Sequence, residues 1–405
     1  MSGKEAKAVV PKLRFPEFRE AGAWEEKEVG EIFKVTRGEV LSMRLVSDMP
    51  SETTPYPVYS SQTKNNGLSG YYSDFLYENA ITWTTDGANA GDVNYRPGKF
   101  YCTNVCGVLI NNDGYANVFI AELLNTITRK HVSYIGNPKL MNGVMAKIKI
   151  ILPPLPEQQK IAHCLSSLDE VIGLQAKQVQ ALKQHKKGLM QQLVPAEGET
   201  TPRLRFPEFR EAGAWEIKRL GKVLDITGGG TPSRKNPDFW KGDIPWVSSS
   251  DISADSIKEI SIKKFITPEA IKKSATKLIP KNSILLVSRV GVGKLAITRK
   301  PICTSQDFTN LTHHQYNVLF LAYYLRSISH VFESFNQGMA IKGFTKENVE
   351  SLSLALPDVK SDEQQKIAHC LSSLDEVIGL EAHKLDALKN LKKGLMQQLF
   401  PQEVA

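Results

Sequence analysis

Apolar residues recur at alternating steps of four and three in two long stretches of the chain, 161–193 and 367–399. In each stretch, eight of the ten positions in this series are apolar. This is the heptad spacing of a coiled coil. Prolines border both stretches, as they do at helix ends: Pro153, Pro154 and Pro156 precede the first, and Pro195 and Pro401 follow the two. The pattern predicts two helices of about 37 residues, each about 55 Å long.

A helix of this length with an apolar seam needs a partner, and each stretch is the natural partner of the other. Parallel pairing would place Lys186 beside Lys392, whereas antiparallel pairing lets Lys186 meet Glu381 and Gln175 meet Lys392. The sequence therefore predicts an antiparallel pair in which Lys186 faces Glu381. The alternative is that the seam is hydrated and simply tolerates these polar residues. The seam positions are Ile161, Leu165, Leu168, Ile172, Gln175, Val179, Leu182, Lys186, Leu189 and Leu193 in the first helix, and Ile367, Leu371, Leu374, Ile378, Glu381, Leu385, Leu388, Lys392, Leu395 and Leu399 in the second.

Two segments of the chain occur twice. Residues 12–24 and 203–215 agree at 12 of 13 positions, and the segment EQQKIAHCLSSLDEVIGL at 157–174 recurs unchanged at 363–380. The inserts between these segments differ almost completely, and the second is 15 residues longer. An identical frame around unlike inserts predicts a pseudo-twofold scaffold that presents two different recognition surfaces.

Both inserts carry short β-branched and aromatic runs between turn signals, which predict strands, and helical apolar spacing near 117–130 and 317–335. Each insert is long enough to bury its own core. The fold class predicted is α+β, with two globular mixed α/β domains joined by the two long antiparallel coiled-coil helices. The boundaries predicted are 1–24 for the first repeated head, 25–152 for the first domain, 153–195 for the central helix, 196–215 for the linker and second head, 216–357 for the second domain and 358–405 for the C-terminal helix.

Composition and charge narrow the class of protein. The 405 residues include 51 Lys and Arg against 43 Asp and Glu, a net charge of +8, which permits nucleic-acid binding. The charge is unevenly divided: residues 25–156 carry a balance of −1 and residues 216–356 a balance of +8. No apolar run approaches membrane-spanning length and no signal-type segment begins the chain. Together with five cysteines in no dense framework, this predicts a cytoplasmic protein.

No catalytic or metal-binding set can be assembled from the sequence. The segment GVGK at 291–294 lacks the upstream glycine and the following Ser or Thr of a phosphate-binding loop, because Ser288 and Leu295 stand there. Cys102 and Cys106 lack the second pair of ligands that a zinc site needs. The sequence indicates a recognition module that needs no cofactor or metal of its own.

The whole pattern, from about residue 12 to 400, resembles the specificity (S) subunit of type I restriction–modification enzymes. The resemblance lies in the two RFPEF heads, the run LPPLPEQQ at 152–159 and the segment GGTPS at 229–233, followed by Phe239-Trp240 and Ile244-Pro245-Trp246. It implies that each insert is a target recognition domain for one half of a split, asymmetric site in double-stranded DNA, and that the helices set the gap. It also implies two methyltransferase (M) subunits and restriction (R) subunits as partners, which supply the sites for S-adenosylmethionine, ATP and Mg²⁺.

Candidate DNA contacts follow from this resemblance together with loop position and polarity, since Asn, Gln, Ser and Thr bond base edges while Lys and Arg bond phosphates. If both domains face one side of the duplex, the half-site centres should lie about 34 Å apart. The base-reading candidates are Ser61, Gln62, Lys64, Asn65, Thr84, Thr85 and Asn89 in the first domain and Ser233, Arg234, Lys235, Ser249 and Ser250 in the second; the phosphate candidates are Lys263, Lys264, Arg289 and Lys294.

Three other functions compete with this interpretation. A stand-alone DNA-binding regulator would dimerise through one copy of the helix, so the internal repeat counts against it. A pure interaction scaffold would lack salt-dependent DNA affinity. A methyltransferase in one chain would need a glycine-rich cofactor loop, and none precedes the Asn236-Pro237-Asp238-Phe239 segment that resembles an amino-methyltransferase motif.

Overall fold

A computed structural model describes residues 10–61, 65–335 and 343–400. The chain divides into two compact units. The first contains the chain up to Ala176 and again from His383, and the second is Lys177–Ala382. Each unit therefore holds one globular domain together with part of both long helices. No helix in the described residues combines the length and apolar character needed to cross a membrane.

The first unit is built on a six-stranded sheet. Its strands and helices are β1 (Glu25–Glu28), α1 (Val29–Ile32), β2 (Lys34–Arg37), β3 (Tyr56–Tyr59), β4 (Leu68–Tyr72), β5 (Tyr77–Thr84), β6 (Val93–Cys102), β7 (Cys106–Ile110), α2 (Val118–Ile127), α3 (Asn142–Ala146), β8 (Lys149–Leu152) and the beginning of α4 (Leu155–Gln192). The order in the sheet is β2-β7-β5-β6-β3-β4, and only the β3–β6 pair is parallel. β1 and β8 form a separate antiparallel pair.

The second unit repeats this topology with a break in one strand. Its elements are β9 (Glu216–Arg219), α5 (Leu220–Val223), β10 (Asp225–Gly228), β11 (Ile244–Val247), β12 (Lys264–Ile266), α6 (Pro268–Lys272), β13 (Leu278–Ile279), β14 (Ile284–Val287), β15 (Leu295–Ile297), β16 (Ile302–Thr304), β17 (Phe308–Thr312), α7 (Val318–Ser327), α8 (Ser329–Ser334), α9 (Lys346–Ser351), β18 (Ser353–Leu356) and the beginning of α10 (Glu363–Leu399). The order β10-β17-β14-β15 matches β2-β7-β5-β6, and parallel β11–β16 matches parallel β3–β6. The single long strand β6 thus corresponds to two short strands.

Each unit has its main core where its sheet meets α2 or α7 and the long helices. In the first unit, Phe119 and Ile120 of α2 pack in one cluster with Ile161 and Leu165 of α4 and Leu399 of α10. In the second, Phe320 and Leu321 of α7 pack with Leu193, just beyond α4, and with Ile367 and Leu371 of α10. The start of one long helix therefore lies with the end of the other in both units, which is the predicted antiparallel arrangement.

None of the twenty seam positions named from the spacing is exposed. The seam lysines form reciprocal ion pairs: Lys186 bonds Asp375 (2.5 Å) in the second unit, and Lys392 bonds Asp169 (2.8 Å) and Glu122 (2.6 Å) in the first. The ion-pair partners of Lys186 and Lys392 are thus carboxylates at positions other than the predicted Glu381 and Gln175. A lysine side chain is long enough to leave the seam and reach a carboxylate at its edge.

The repeated heads make matching contacts in both units. The guanidinium of Arg14 donates two hydrogen bonds to Glu157 at the start of α4 (2.8 and 2.5 Å), and that of Arg205 does the same to Glu363 at the start of α10 (2.7 and 2.6 Å). All four side chains are almost fully buried. Each head therefore binds the beginning of a long helix through a buried, bidentate ion pair.

Candidate nucleic-acid interface

In the first unit, two polar connections meet at one pocket. The first follows β3 and is described at residues 60–61 and 65–67, and the second joins β5 to β6 (residues 85–92). Together with polar side chains from β5, β6 and α2 they surround a pocket of about 200 Å³. The residues that line it are Ser60, Asn66, Gly67, Thr82, Trp83, Thr84, Asn89, Asp92, Val93, Asn94, Arg96, Cys106 and Asn125. The structure thus brings residues from distant parts of the domain together, and two of the predicted base-reading candidates, Thr84 and Asn89, are among them.

Strand alternation explains why this pocket is polar. On β5, Ile81 and Trp83 belong to the main core, and the intervening Thr82 and Thr84 supply polar side chains to the pocket. On β6, Val93 likewise belongs to that core, and Asn94 and Arg96 supply polar side chains to the pocket; Trp83 and Val93 border the pocket as well. Because successive side chains of a strand point to opposite faces, a single pair of strands supplies both the core and the polar pocket.

The seven base-reading candidates of the first domain lie in different surroundings. Thr84 and Asn89 line the pocket. Ser61 is half-buried, and Asn65 is exposed with a positive φ of 51°. The hydroxyl of Thr85 is buried and donates to Asp86 (2.7 Å) or to the carbonyl of Val105 (2.9 Å), so it is used within the fold. Gln62 and Lys64 lie outside the described residues.

Arg96 is a pocket residue that the sequence analysis missed. Its side chain is buried, its Nε donates to Thr82 Oγ1 (3.0 Å) and its Nη2 donates to the carbonyl of Asn66 (2.6 Å). The guanidinium lies 3.7 Å from the centre of the Tyr59 ring. The alternation of Asn94 and Arg96 with Val93 and Tyr95 was the signal that could have placed it on the polar face.

In the second unit, the matching connections follow β11 and join β14 to β15. Ser248 and Asp251 close a capping box after β11, where Ser249 is buried and Ser250 is exposed. In the β14–β15 connection, Arg289 and Val290 are exposed, and Val290 has a positive φ of 49°. The candidates Ser249, Ser250 and Arg289 thus lie in connections that are equivalent to the two polar connections of the first domain.

The basic candidates of the second unit do not form one cluster. Ser233, Arg234 and Lys235 are exposed in the connection after β10. Lys263 and Lys264 are exposed at β12, where Lys264 Nζ lies 5.5 Å from the Trp246 ring centre. Lys294 instead lines a pocket of about 480 Å³ with four basic residues absent from the predicted DNA contacts (Lys183, Lys186, Lys187 and Arg326) and three acidic ones (Asp255, Glu333 and Asp375). The Lys-Lys pair that recurs near the end of each long helix was the sequence signal for two of these basic residues, Lys186 and Lys187.

The thiols of the first domain are inert core groups in this geometry. Cys102 and Cys106 are buried, and burial raises the pKa of Cys106 to about 11 and that of Cys102 further. A thiol must lose its proton to bind zinc or to act as a nucleophile. Among the described residues, no group of three or more His, Cys, Asp or Glu side chains is arranged to hold a metal ion.

Known proteins share both the sequence pattern and the fold. The type I restriction–modification enzyme specificity subunit MjaIX of Methanocaldococcus jannaschii is 32% identical over 193 residues, which span 46% of this chain and 44% of that protein. The putative MjaX specificity subunit of the same organism is 24% identical over 410 residues, which span 93% of this chain and 92% of that protein.

The S subunit of a type I restriction–modification system from M. genitalium, known from a crystal structure, has the same fold. It superposes with a TM-score of 0.63 at 16% identity, over 98% of this chain and all of that one. The sequence model of the type I restriction–modification DNA specificity domain matches twice, at residues 22–184 and 213–390. With both inserts and both long helices accounted for in this way, the chain belongs to the family of type I restriction–modification DNA specificity proteins.

Proposed function

We propose that the chain is the DNA specificity subunit of a type I restriction–modification complex, in which each domain recognises one half of a bipartite, asymmetric site. One observation supports this above all: two domains of the same topology, held by identical heads and helices, carry unlike side chains in equivalent connections. Base contacts made by side chains specify sequence. Unlike connections on a repeated frame therefore suit unlike half-sites.

The long helices fix the distance between the two half-sites in this proposal. Each helix has an unbroken seam and is tied by a buried ion pair to the head that precedes its domain. A helix pair of 37 or 38 residues is stiff over about 55 Å, which exceeds the roughly 34 Å of one DNA turn. The length of the DNA gap thus depends on the helices, and the bases on either side depend on the domains.

Two methyltransferase subunits are the partners that the repeated helix surface supports. Val171 and Leu174 of α4 are 47% and 59% exposed, and the equivalent Val377 and Leu380 of α10 are 43% and 69% exposed. Packing within the chain does not require exposed positions to be identical, yet all 18 residues of this segment are the same in both copies. An identical exposed apolar surface in each copy suits two copies of one partner.

The catalytic steps belong to partner subunits in this proposal. Methyltransferase subunits bind S-adenosylmethionine and modify adenine, and restriction subunits join through them and use ATP and Mg²⁺ to cleave. The chain itself supplies sequence recognition. Its five cysteines are all free thiols, which suits the reducing cytoplasm where host DNA is modified.

Methylation-sensitive sequencing of host DNA, with and without the gene for this chain, tests the function directly. With the chain and its methyltransferase partner present, we expect modified adenines in a motif of two unlike halves separated by a fixed gap. Without the chain, methylation of that motif should disappear. A continuous or palindromic motif, or an unchanged methylation pattern, would contradict the proposed function.

A further inference from the structure

The pocket in the first unit is lined by a buried arginine, Arg96, that has no acidic partner among the described residues. Arg96 lies on β6, is 7% exposed, and forms no ion pair with an Asp or Glu side chain within the described residues. Its hydrogen bonds go to a hydroxyl and a backbone carbonyl, both neutral. The guanidinium has five N–H groups in a planar fork, so donors remain for a ligand.

Burial makes this charge costly to hold. It lowers the pKa of Arg96 below its ordinary value, because removal from water disfavours the charged form. The nearby Tyr59 ring offsets part of this penalty through a cation–π contact. Asp92 also lines the pocket, but its carboxylate accepts from Arg129 at 2.6 Å and is compensated there. The pocket therefore keeps an uncompensated positive charge.

Three further polar side chains of the pocket make no hydrogen bond to any other described residue. Thr84 is buried and Asn89 and Asn94 are half-buried, yet the fold uses none of their side-chain donors. Buried polar groups are normally paired within the protein. A guanidinium group surrounded by unused hydroxyl and amide donors suits a small anion that offers several hydrogen-bond acceptors.

We propose that this pocket binds a backbone phosphate of DNA beside the half-site that the first domain recognises, with Arg96 as the phosphate-binding residue. The inference rests on the proposed function for its DNA ligand. A phosphate rather than a base edge is favoured because it supplies the missing negative charge as well as acceptors. Residues 25–156 have a charge balance of −1, so net charge alone gives this domain no attraction for the DNA backbone.

Binding of inorganic phosphate to the full chain tests the pocket without DNA. In calorimetric titrations at constant ionic strength, we expect Arg96→Gln to weaken phosphate binding at least tenfold and Asn89→Ala to weaken it several-fold. Lys99→Gln is the matched control, because it removes a charge from an exposed position of the same strand outside the pocket, and its affinity should stay within twofold. Asn89→Ala truncates a half-buried side chain and keeps the test valid if Arg96→Gln does not fold. No phosphate binding, or equal binding by all variants, would overturn the site.

DNA-binding measurements distinguish a failure of this inference from a failure of the proposed function. With the chain assembled with its methyltransferase partner, Arg96→Gln should weaken target and non-target DNA alike and reduce the slope of log affinity against log salt by about one. A changed base preference with an unchanged slope would instead assign Arg96 to base reading and overturn the phosphate role. Arg96-dependent phosphate binding in a complex that binds no DNA would leave the pocket standing and refute the proposed function.

Discussion

At the scale of single residues, the buried arginine pairs explain why the heads are repeated so closely. In the second unit, Arg205 donates two hydrogen bonds to the carboxylate of Glu363 and a third to the carbonyl of Ala212. Trp215 Nε1 also donates to the Glu363 carboxylate, at 3.0 Å. Arg14 contacts Glu157 and the carbonyl of Ala21 in the same way. Repeated residues of each head thus bind the first turn of a long helix, where a carboxylate is also favoured by the helix dipole.

Removing one member of such a pair should be strongly destabilising. Arg205→Ala leaves Glu363 buried without its partner, and we expect the second unit to lose about 3–5 kcal/mol. Hydrogen exchange of residues 363–371 in increasing urea measures this loss where it occurs. The control is Lys241→Ala, whose ion pair with Asp238 is exposed to solvent and should contribute far less to stability. Equal effects of the two substitutions would contradict the structural role of the head.

The residues that sequence reasoning missed are those whose role depends on distant neighbours. Arg96 becomes significant only because Tyr59 and Asn66, from other parts of the domain, contact it while no carboxylate in the described part of the chain pairs with it. Polarity alone placed Thr85 among the base-reading candidates, but its hydroxyl serves the backbone of a neighbouring loop. Local sequence shows which side chains are polar, whereas tertiary contacts decide which of them remain free.

At the scale of elements, helical periodicity predicted the long helices well because it depends only on backbone geometry. All the seam positions are shielded as the steps of three and four require. The partner of Lys186 could not be deduced in this way. Tyr323 of α7 donates to the other oxygen of Asp375 (2.5 Å), and Lys186 Nζ also lies 4.9 Å from the Tyr323 ring centre, so the second recognition domain takes part in fixing this contact.

The exposed faces of the long helices lead to a prediction about how methyltransferase subunits dock. Val171→Glu should remove one methyltransferase subunit from the assembled complex, Val377→Glu should remove the other, and the double variant should remove both, because a charge in an apolar contact loses its hydration. Native mass spectrometry counts the subunits directly. Ile135→Glu is the control, since Ile135 is exposed in a loop of the first domain. Two subunits on all variants would show that docking lies elsewhere.

At the scale of the whole molecule, two recognition domains with little common sequence have one topology. β6 is continuous in the first, whereas the equivalent strand of the second is interrupted between Ile297 and Ile302. The internal repeat predicted the frame, and strand and helix signals predicted mixed α/β domains. The common strand order could not be predicted from these signals, because strand pairing depends on contacts between residues far apart in the chain.

This shared topology makes the two domains exchangeable units in principle. The heads and helices that hold them are the same, so a different domain placed between them keeps its anchoring contacts: Arg14 with Glu157 in the first unit and Arg205 with Glu363 in the second. Specificity for each half-site should then travel with the domain that reads it, while the gap stays a property of the helices.

Exchange of residues 25–152 for the corresponding domain of a relative, followed by sequencing of methylated host DNA, is the most direct measurement of this division of labour. The account predicts that one half of the recognised motif changes to the relative's half, while the other half and the gap stay as they were. A change in both halves, or a change in the gap with both halves preserved, would contradict it.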